Sequence, residues 1–140
     1  VSDLAEALVA AQADLPCALG KDATGQIGQR SYKYLTLDKL IAETRPILTA
    51  HGLAILQHPS TLQNCDENGR ANAHVPSLTT TLLHVSGDVR TWTMPLYLAD
   101  KSMQGLGAAI TYARRYAWAA VLGIAAEEDM DAPAAEEVPF

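Results

Sequence analysis

The sequence predicts an α+β domain: a three-stranded antiparallel β-meander followed by a long helix, with additional helices on its N-terminal side. Three observations carry this. Apolar residues recur at helical spacing twice within the first fifty positions. Three strand-like segments, about 53–61, 75–85 and 88–97, are joined by tight-turn compositions. A run of small and apolar residues from Ser102 to Leu122 then follows the third segment. Strands grouped before a helix give helices packed on one face of a small sheet rather than a βαβ array.

Each element has its own signature. Leu4, Leu8, Ala11 and Leu15 lie on one helical face, Ser2 can cap the helix and Pro16 closes it. Gly20 to Gly28 is glycine-rich and reads as a loop or an irregular hairpin. Ser31-Tyr32-Lys33-Tyr34-Leu35 alternates polar and aromatic side chains, as a short strand does. Thr36 can cap a second helix carrying Leu37, Leu40, Ile41, Thr44 and Leu48 on one face, with Gly52 at the position that favours a left-handed glycine. Pro46 falls inside that pattern, which predicts a kink or break near Arg45. Asn68-Gly69 marks the turn between the first two strands, and Ser86-Gly87-Asp88 the turn between the second and third.

Size and composition bound the function classes. A chain of 140 residues, 49% apolar and 19% charged, builds a single globular domain. No apolar run reaches the roughly 20 residues that span a bilayer, and no basic flank with an apolar core marks a signal peptide. The chain opens on Val1, which is read as having lost its true start. Cys17 and Cys65 lack partners at metal-ligand spacing and are expected to stay reduced in a cytoplasmic protein. The net charge of −6 is unevenly spread. Residues 1–126 hold ten basic and ten acidic residues, whereas 127–140 hold six acids and no base. The division is therefore a neutral domain over 1–126 and an acidic tail over 127–140, read as disordered from its alanines, prolines and acids. A neutral body permits a basic stripe.

The last helix concentrates the chemistry. With about 100° per residue, Leu106, Ile110, Ala113, Ala117, Ala120, Val121 and Ile124 fall within roughly 60° of one line and form the expected buried stripe. Gly105, Gly107, Ala108 and Ala109 keep the first two turns thin enough for another backbone to approach. Arg115 lies opposite the stripe near Gln104, Thr111 and Trp118, with Tyr112 to the other side, and is the expected phosphate-facing residue. Arg114 lies at the stripe's boundary, either as a second contact across a groove or as a structural arginine paired to a carboxylate. Arginines beside tyrosines suit a single-stranded nucleic acid, since guanidinium neutralises phosphate while aromatic faces accept unpaired bases. The alternative is a solvated helix face whose tyrosines are partly in the core.

The run Gln104-Gly105 with Ile110-Thr111-Tyr112-Ala113-Arg114-Arg115-Tyr116-Ala117, then Leu122-Gly123-Ile124 and Glu127-Glu128-Asp129-Met130-Asp131, closely resembles the signature of the ERF (essential recombination function) family of phage and prophage single-strand annealing proteins. Tyr32-Lys33-Tyr34 before a helix, Pro46, His51-Gly52-Leu53 with Gln57, and His84 before Gly87 agree with it, so the resemblance extends from about Lys21 to Asp131. The chain departs from the family pattern at Ala108, where Ser is more usual, and at Trp118, where a smaller or aliphatic residue is. Trp118 is read as packing against a neighbour. The resemblance implies ATP-independent binding of single-stranded DNA, annealing of complementary strands, a β-β-β-α core, and assembly into homo-oligomeric rings or filaments in the bacterial host's cytoplasm. It also implies that a basic pair on the helix after the meander lines the DNA groove, which carries over to Arg114 and Arg115. No catalytic residue, metal or cofactor is implied.

Other groups extend or compete with this reading. Lys33 with Tyr32 and Tyr34, which Arg30 and Lys101 could join, forms a second basic–aromatic set in which Lys33 or Arg30 either contacts DNA or is a solvated strand edge; Tyr112 and Gln104 complete the candidate DNA-binding residues. His51, His58, His74 and His84 lack a metal-ligand pattern. Gly105 to Ile110 matches only part of a dinucleotide fingerprint, and no Walker loop is present. The rival functions are a nucleotide- or cofactor-binding enzyme using that segment, and an oligomeric scaffold without DNA. The end of the chain, Glu136-Glu137-Val138-Pro139-Phe140, resembles the acidic Pro-Phe tip of bacterial single-stranded DNA-binding protein. It is either a tail that recruits host factors through Phe140 or a linker to a missing C-terminal region.

Overall fold

Capping chemistry sets the helix ends where the sequence marks them. The computed structural model describes residues 2–126. Its first helix, α1 (Asp3–Asp14), starts where the Ser2 hydroxyl accepts the Ala5 amide. Two short strands follow, β1 (Ala18–Leu19) and β2 (Ala23–Ile27), then β3 (Arg30–Tyr34) and α2 (Leu37–Ala50), which Thr36 caps by accepting the Lys39 amide. The meander strands are β4 (Leu53–Cys65), β5 (Ala71–His84) and β6 (Val89–Pro95). Ser102 caps α3 (Met103–Leu122), and Gly123, at φ 71° in the left-handed region, ends it before β7 (Ala125–Ala126).

The fold is α+β with three helices among the described residues, and β4-β5-β6 form the antiparallel sheet. The meander and the helix after it sit inside a longer order that begins α-β-β-β-α, so they do not stand alone as the whole architecture. The glycine-rich segment resolves as a regular antiparallel hairpin, β2 against β3, with Gly25 opposite Tyr32. The parallel pair β1–β7, Ala18 opposite Ala125, joins the exit of α1 to the exit of α3 and has no counterpart in the sequence reading.

Two further expectations are corrected. Pro46 does not break α2, which continues to Ala50. The proline lacks an amide that would have bonded the Ala42 carbonyl, and both residues lie on the exposed side of the helix rather than in the core. Thr49 adds a hydroxyl bond to the Arg45 and Pro46 carbonyls in the same turn. The β4–β5 hairpin also runs further than its apolar alternation suggested. From His58 to Cys65 every residue of β4 is exposed, so the ribbon projects beyond the core to a turn in which the Asp66 carboxylate accepts the Asn68 and Arg70 amides.

The core has two parts. The larger joins Leu4, Ala11 and Leu15 of α1 and its exit, Leu40 and Leu48 of α2, Leu53, Ile55 and Leu82 of the sheet, and Trp118, Leu122 and Ile124 from the end of α3. The smaller joins Leu78, Leu96 and Ala113, with Leu106, Ile110 and Ala117 packed against it. One helix thus serves two cores. The single stripe expected of α3 describes its first half; Ala120, assigned to that stripe, is exposed, while Trp118, assigned to the opposite side, is 2% exposed. The Trp118 indole donates to the Thr44 hydroxyl at 2.9 Å, and Thr44 donates in turn to the Leu40 carbonyl at 2.7 Å. A second packing partner, α2, is what the one-sided wheel omits. Trp118 packs against its neighbours, as the sequence suggests. The tail over 127–140, with Glu136, Glu137, Pro139 and Phe140, lies outside the described residues.

Candidate functional site

The β2–β3 hairpin is fixed at its base before it reaches the last helix. The Asp22 carboxylate accepts the Thr36 amide at 2.8 Å and the Thr36 hydroxyl at 2.7 Å, while the Asp22 amide donates to the Tyr34 carbonyl. The Thr36 bonds hold the Asp22 carboxyl below the usual carboxylate range. Lys39 reaches back to the Gly20 carbonyl at 2.7 Å. These ties set the strand that carries Tyr32 and Tyr34, whose ring centroids stand 5.8 Å apart. Gly25 lies beneath the Tyr32 ring, and a Cβ there would meet its Cζ at 2.6 Å and push the ring aside.

Tyr34 meets Arg115 of α3. The guanidinium lies 4.8 Å from the Tyr34 ring centroid, 4.9 Å from that of Tyr112 and 5.4 Å from that of Tyr116. Three electron-rich faces around one cation hold it in place without neutralising it. Arg115 leaves the buried stripe as the wheel places it, but it is half-buried among tyrosines rather than fully outward. Tyr112 and Tyr116 are one turn apart, with centroids at 4.7 Å, and the Tyr112 hydroxyl donates to that of Tyr116 at 3.2 Å. Burial, then this hydrogen bond and the neighbouring phenol, push the Tyr112 hydroxyl up to about 12 against the opposing pull of Arg115. It is therefore neutral across the physiological range.

Arg114 has a different role. Its Nε donates to Oε1 of Gln57 at 3.4 Å, and the Gln57 amide donates back to the Arg114 carbonyl and to the Thr80 hydroxyl, both at 3.1 Å. The structural option expected for Arg114 is thus filled by a carboxamide on β4, not by a carboxylate. Gln57 had only a weak family match to mark it.

Beside the Arg115 cluster lies a groove of about 460 Å³ between the hairpin, the segment after β6 and the first half of α3. Tyr32, Leu96, Tyr97, Tyr112 and Tyr116 wall it, over a floor that includes Ala108. The thin helix face has the expected consequence at Gly105, where a Cβ would overlap the Asp100 carbonyl. Asp100 accepts the Ser102 amide and hydroxyl at 3.0 and 2.6 Å, bonds that keep its carboxyl below the ordinary range. The Ser102 hydroxyl accepts the Gly105 amide at 3.0 Å. The start of α3 is thereby occupied by its own cap and a carboxylate.

The remaining candidates divide. Gln104 lines the groove. Lys101 is exposed on the loop before α3. Arg30 shares the strand parity of Tyr32 and Tyr34, whereas Lys33 lies between them and so projects from the opposite face of the hairpin. The structure does not bring Lys33 into the Arg115 cluster. Tyr97, 67% exposed at the groove, went unnoticed in the sequence because an isolated tyrosine at a strand end carries no pattern. His51, read as scattered, pairs with the Asp14 carboxylate at 2.6 Å and ties α2 to α1. Among the described residues no cluster of His, Cys, Asp or Glu could hold a metal ion, and no helix is long and apolar enough to cross a membrane.

The ERF superfamily model matches residues 4–138. The chain belongs to the ERF superfamily. Proteins of this family generally bind single-stranded DNA and act in single-strand annealing and recombination of phages. No curated protein and no solved structure matches the chain. Within this ERF protein, the family signature around residues 104–117 is the helix segment that carries both the caged Arg115 and the groove floor.

Proposed function

We propose that this ERF protein binds single-stranded DNA through the Arg115–tyrosine corner and anneals complementary strands without ATP, as a homo-oligomer in the host cytoplasm. The observation that carries the reading is one guanidinium held within 5.4 Å of three tyrosine rings, at the edge of an aromatic groove. A cation held by ring faces keeps its charge for phosphate, and the half-exposed Tyr32 and Tyr116 rings supply stacking surface. Arg30 extends the basic track along the hairpin, and Arg114 supports the helix through Gln57. Annealing needs no bond made or broken in DNA, so the protein's part is to keep strands unpaired and bring them together.

A single subunit is a weak binder on this account. If about three phosphates are neutralised per subunit, affinity falls roughly twentyfold between about 50 and about 200 mM salt. Several linked subunits on one strand recover it through effective concentration. The nucleotide-enzyme alternative loses support at Gly105–Ile110, because the first turn of α3 is filled by Ser102 and the negative Asp100, where a pyrophosphate would need free amides. The test is the rate of duplex formation from two complementary oligonucleotides without nucleotide. Acceleration supports annealing; none, with tight nucleotide binding instead, points to the enzyme, and neither activity to a scaffold.

A further inference from the structure

The Arg115 cluster and the groove share two residues, Tyr112 and Tyr116, yet their tyrosines are not equally free. Tyr34 and Tyr112 are half-buried and turned to the guanidinium. Tyr32, Tyr97 and Tyr116 line the groove and are 43%, 67% and 48% exposed. A second layer of the site follows from that difference.

We propose that the groove is a subsite for unpaired bases and sets the preference for single strands over duplex. The proposal rests on the DNA-binding reading above and adds to it which residues take the bases. Four features favour this occupant. The volume, about 460 Å³, falls in the range of sites that bury small planar ligands. The walls offer tyrosine faces, which stack on any base and so suit a protein without sequence preference. The groove adjoins the Arg115 guanidinium, so a phosphate there delivers its neighbouring base to the mouth. Asp100 at the lip repels phosphate and leaves that side to bases, with the Gln104 amide available to a base edge. Bases in a duplex are stacked and paired, and they cannot enter. Strands held here must leave the groove to pair, so the finished duplex loses these contacts and is bound less tightly than the strands that formed it.

The experiment compares binding of an oligothymidylate, an abasic oligomer of the same length and charge, and a duplex, for the wild-type oligomer and two variants. Ala108→Leu fills the groove from an exposed helical position with a strong helix former and removes no tyrosine or charge. Tyr97→Ala removes the most exposed wall. The wild type is expected to bind oligothymidylate about tenfold tighter than the abasic oligomer. Both variants are expected to bind the two oligomers alike, at the wild-type abasic level, with the salt slope unchanged and the single-strand to duplex ratio reduced. Equal binding of the two oligomers by the wild type, or variants that keep its preference for bases, overturns the groove assignment while leaving phosphate binding at Arg115 intact. Failure of the wild type to bind either oligomer overturns the DNA-binding reading together with it.

Discussion

Trp118 and Arg115 stand less than one turn apart on α3 and meet opposite surroundings. Trp118 is 2% exposed, wedged between α2 and the sheet, with its indole proton given to Thr44. Arg115 reaches the hairpin and rests on three tyrosine rings beside an open groove. Both are large side chains with a polar group, and both have aromatic or apolar neighbours. The difference lies in what their polar groups still offer. The indole proton is used up inside the protein, whereas cation–π contacts leave the guanidinium protons and charge available to an incoming phosphate. Within one turn, the same helix thus fixes the fold through Trp118 and leaves the Arg115 charge beside an open groove.

Substitutions break this comparison at graded cost. Trp118→Ala opens a cavity in the larger core and is expected to destabilise by about 3–5 kcal/mol, measured by urea unfolding. Thr44→Val leaves the buried indole proton without an acceptor, for about 1–3 kcal/mol in the same assay. Arg115→Ala is expected to cost under about 2 kcal/mol of stability and to lower the salt slope of single-strand binding by about 0.7 per subunit; an unchanged slope places the phosphate contact elsewhere. The smallest effect is at Tyr112. Its folded value of about 12 exceeds the ordinary 10.0 chiefly because burial disfavours the tyrosinate, so this group leaves stability independent of pH below 10 and lowers it as the pH rises from 10 through 12. Tyr112→Phe is expected to leave stability near neutrality unchanged and to remove the latest tyrosinate component from an ultraviolet alkaline titration.

Much of the fold was legible because its signals are local. Ser2, Thr36 and Ser102 mark helix starts through bonds to amides three residues on, and Asn68-Gly69 needs only its own turn geometry. The parallel β1–β7 pair was not legible, since two residues at each end of the chain carry no periodicity. Nor was the continuity of α2 through Pro46, since the exposed setting of Ala42 and Pro46 is set by how the helix packs. At the site, the residue types Arg115, Tyr112 and Tyr34 were read from the sequence, but their meeting was not. It depends on the Asp22–Thr36 anchor that holds the hairpin against α3. Strand parity also places Lys33 on the opposite face of the hairpin from the tyrosines on either side, which adjacency in sequence does not convey.

The most direct test of the account is nucleotide-free annealing of two complementary oligonucleotides by wild type and Arg115→Ala, at matched oligomer concentration and after both show the same unfolding midpoint within a few degrees. The account predicts that the wild type accelerates duplex formation and that Arg115→Ala loses about tenfold or more of that acceleration, an effect smaller at high salt than at low. Full annealing by a folded Arg115→Ala protein would contradict it.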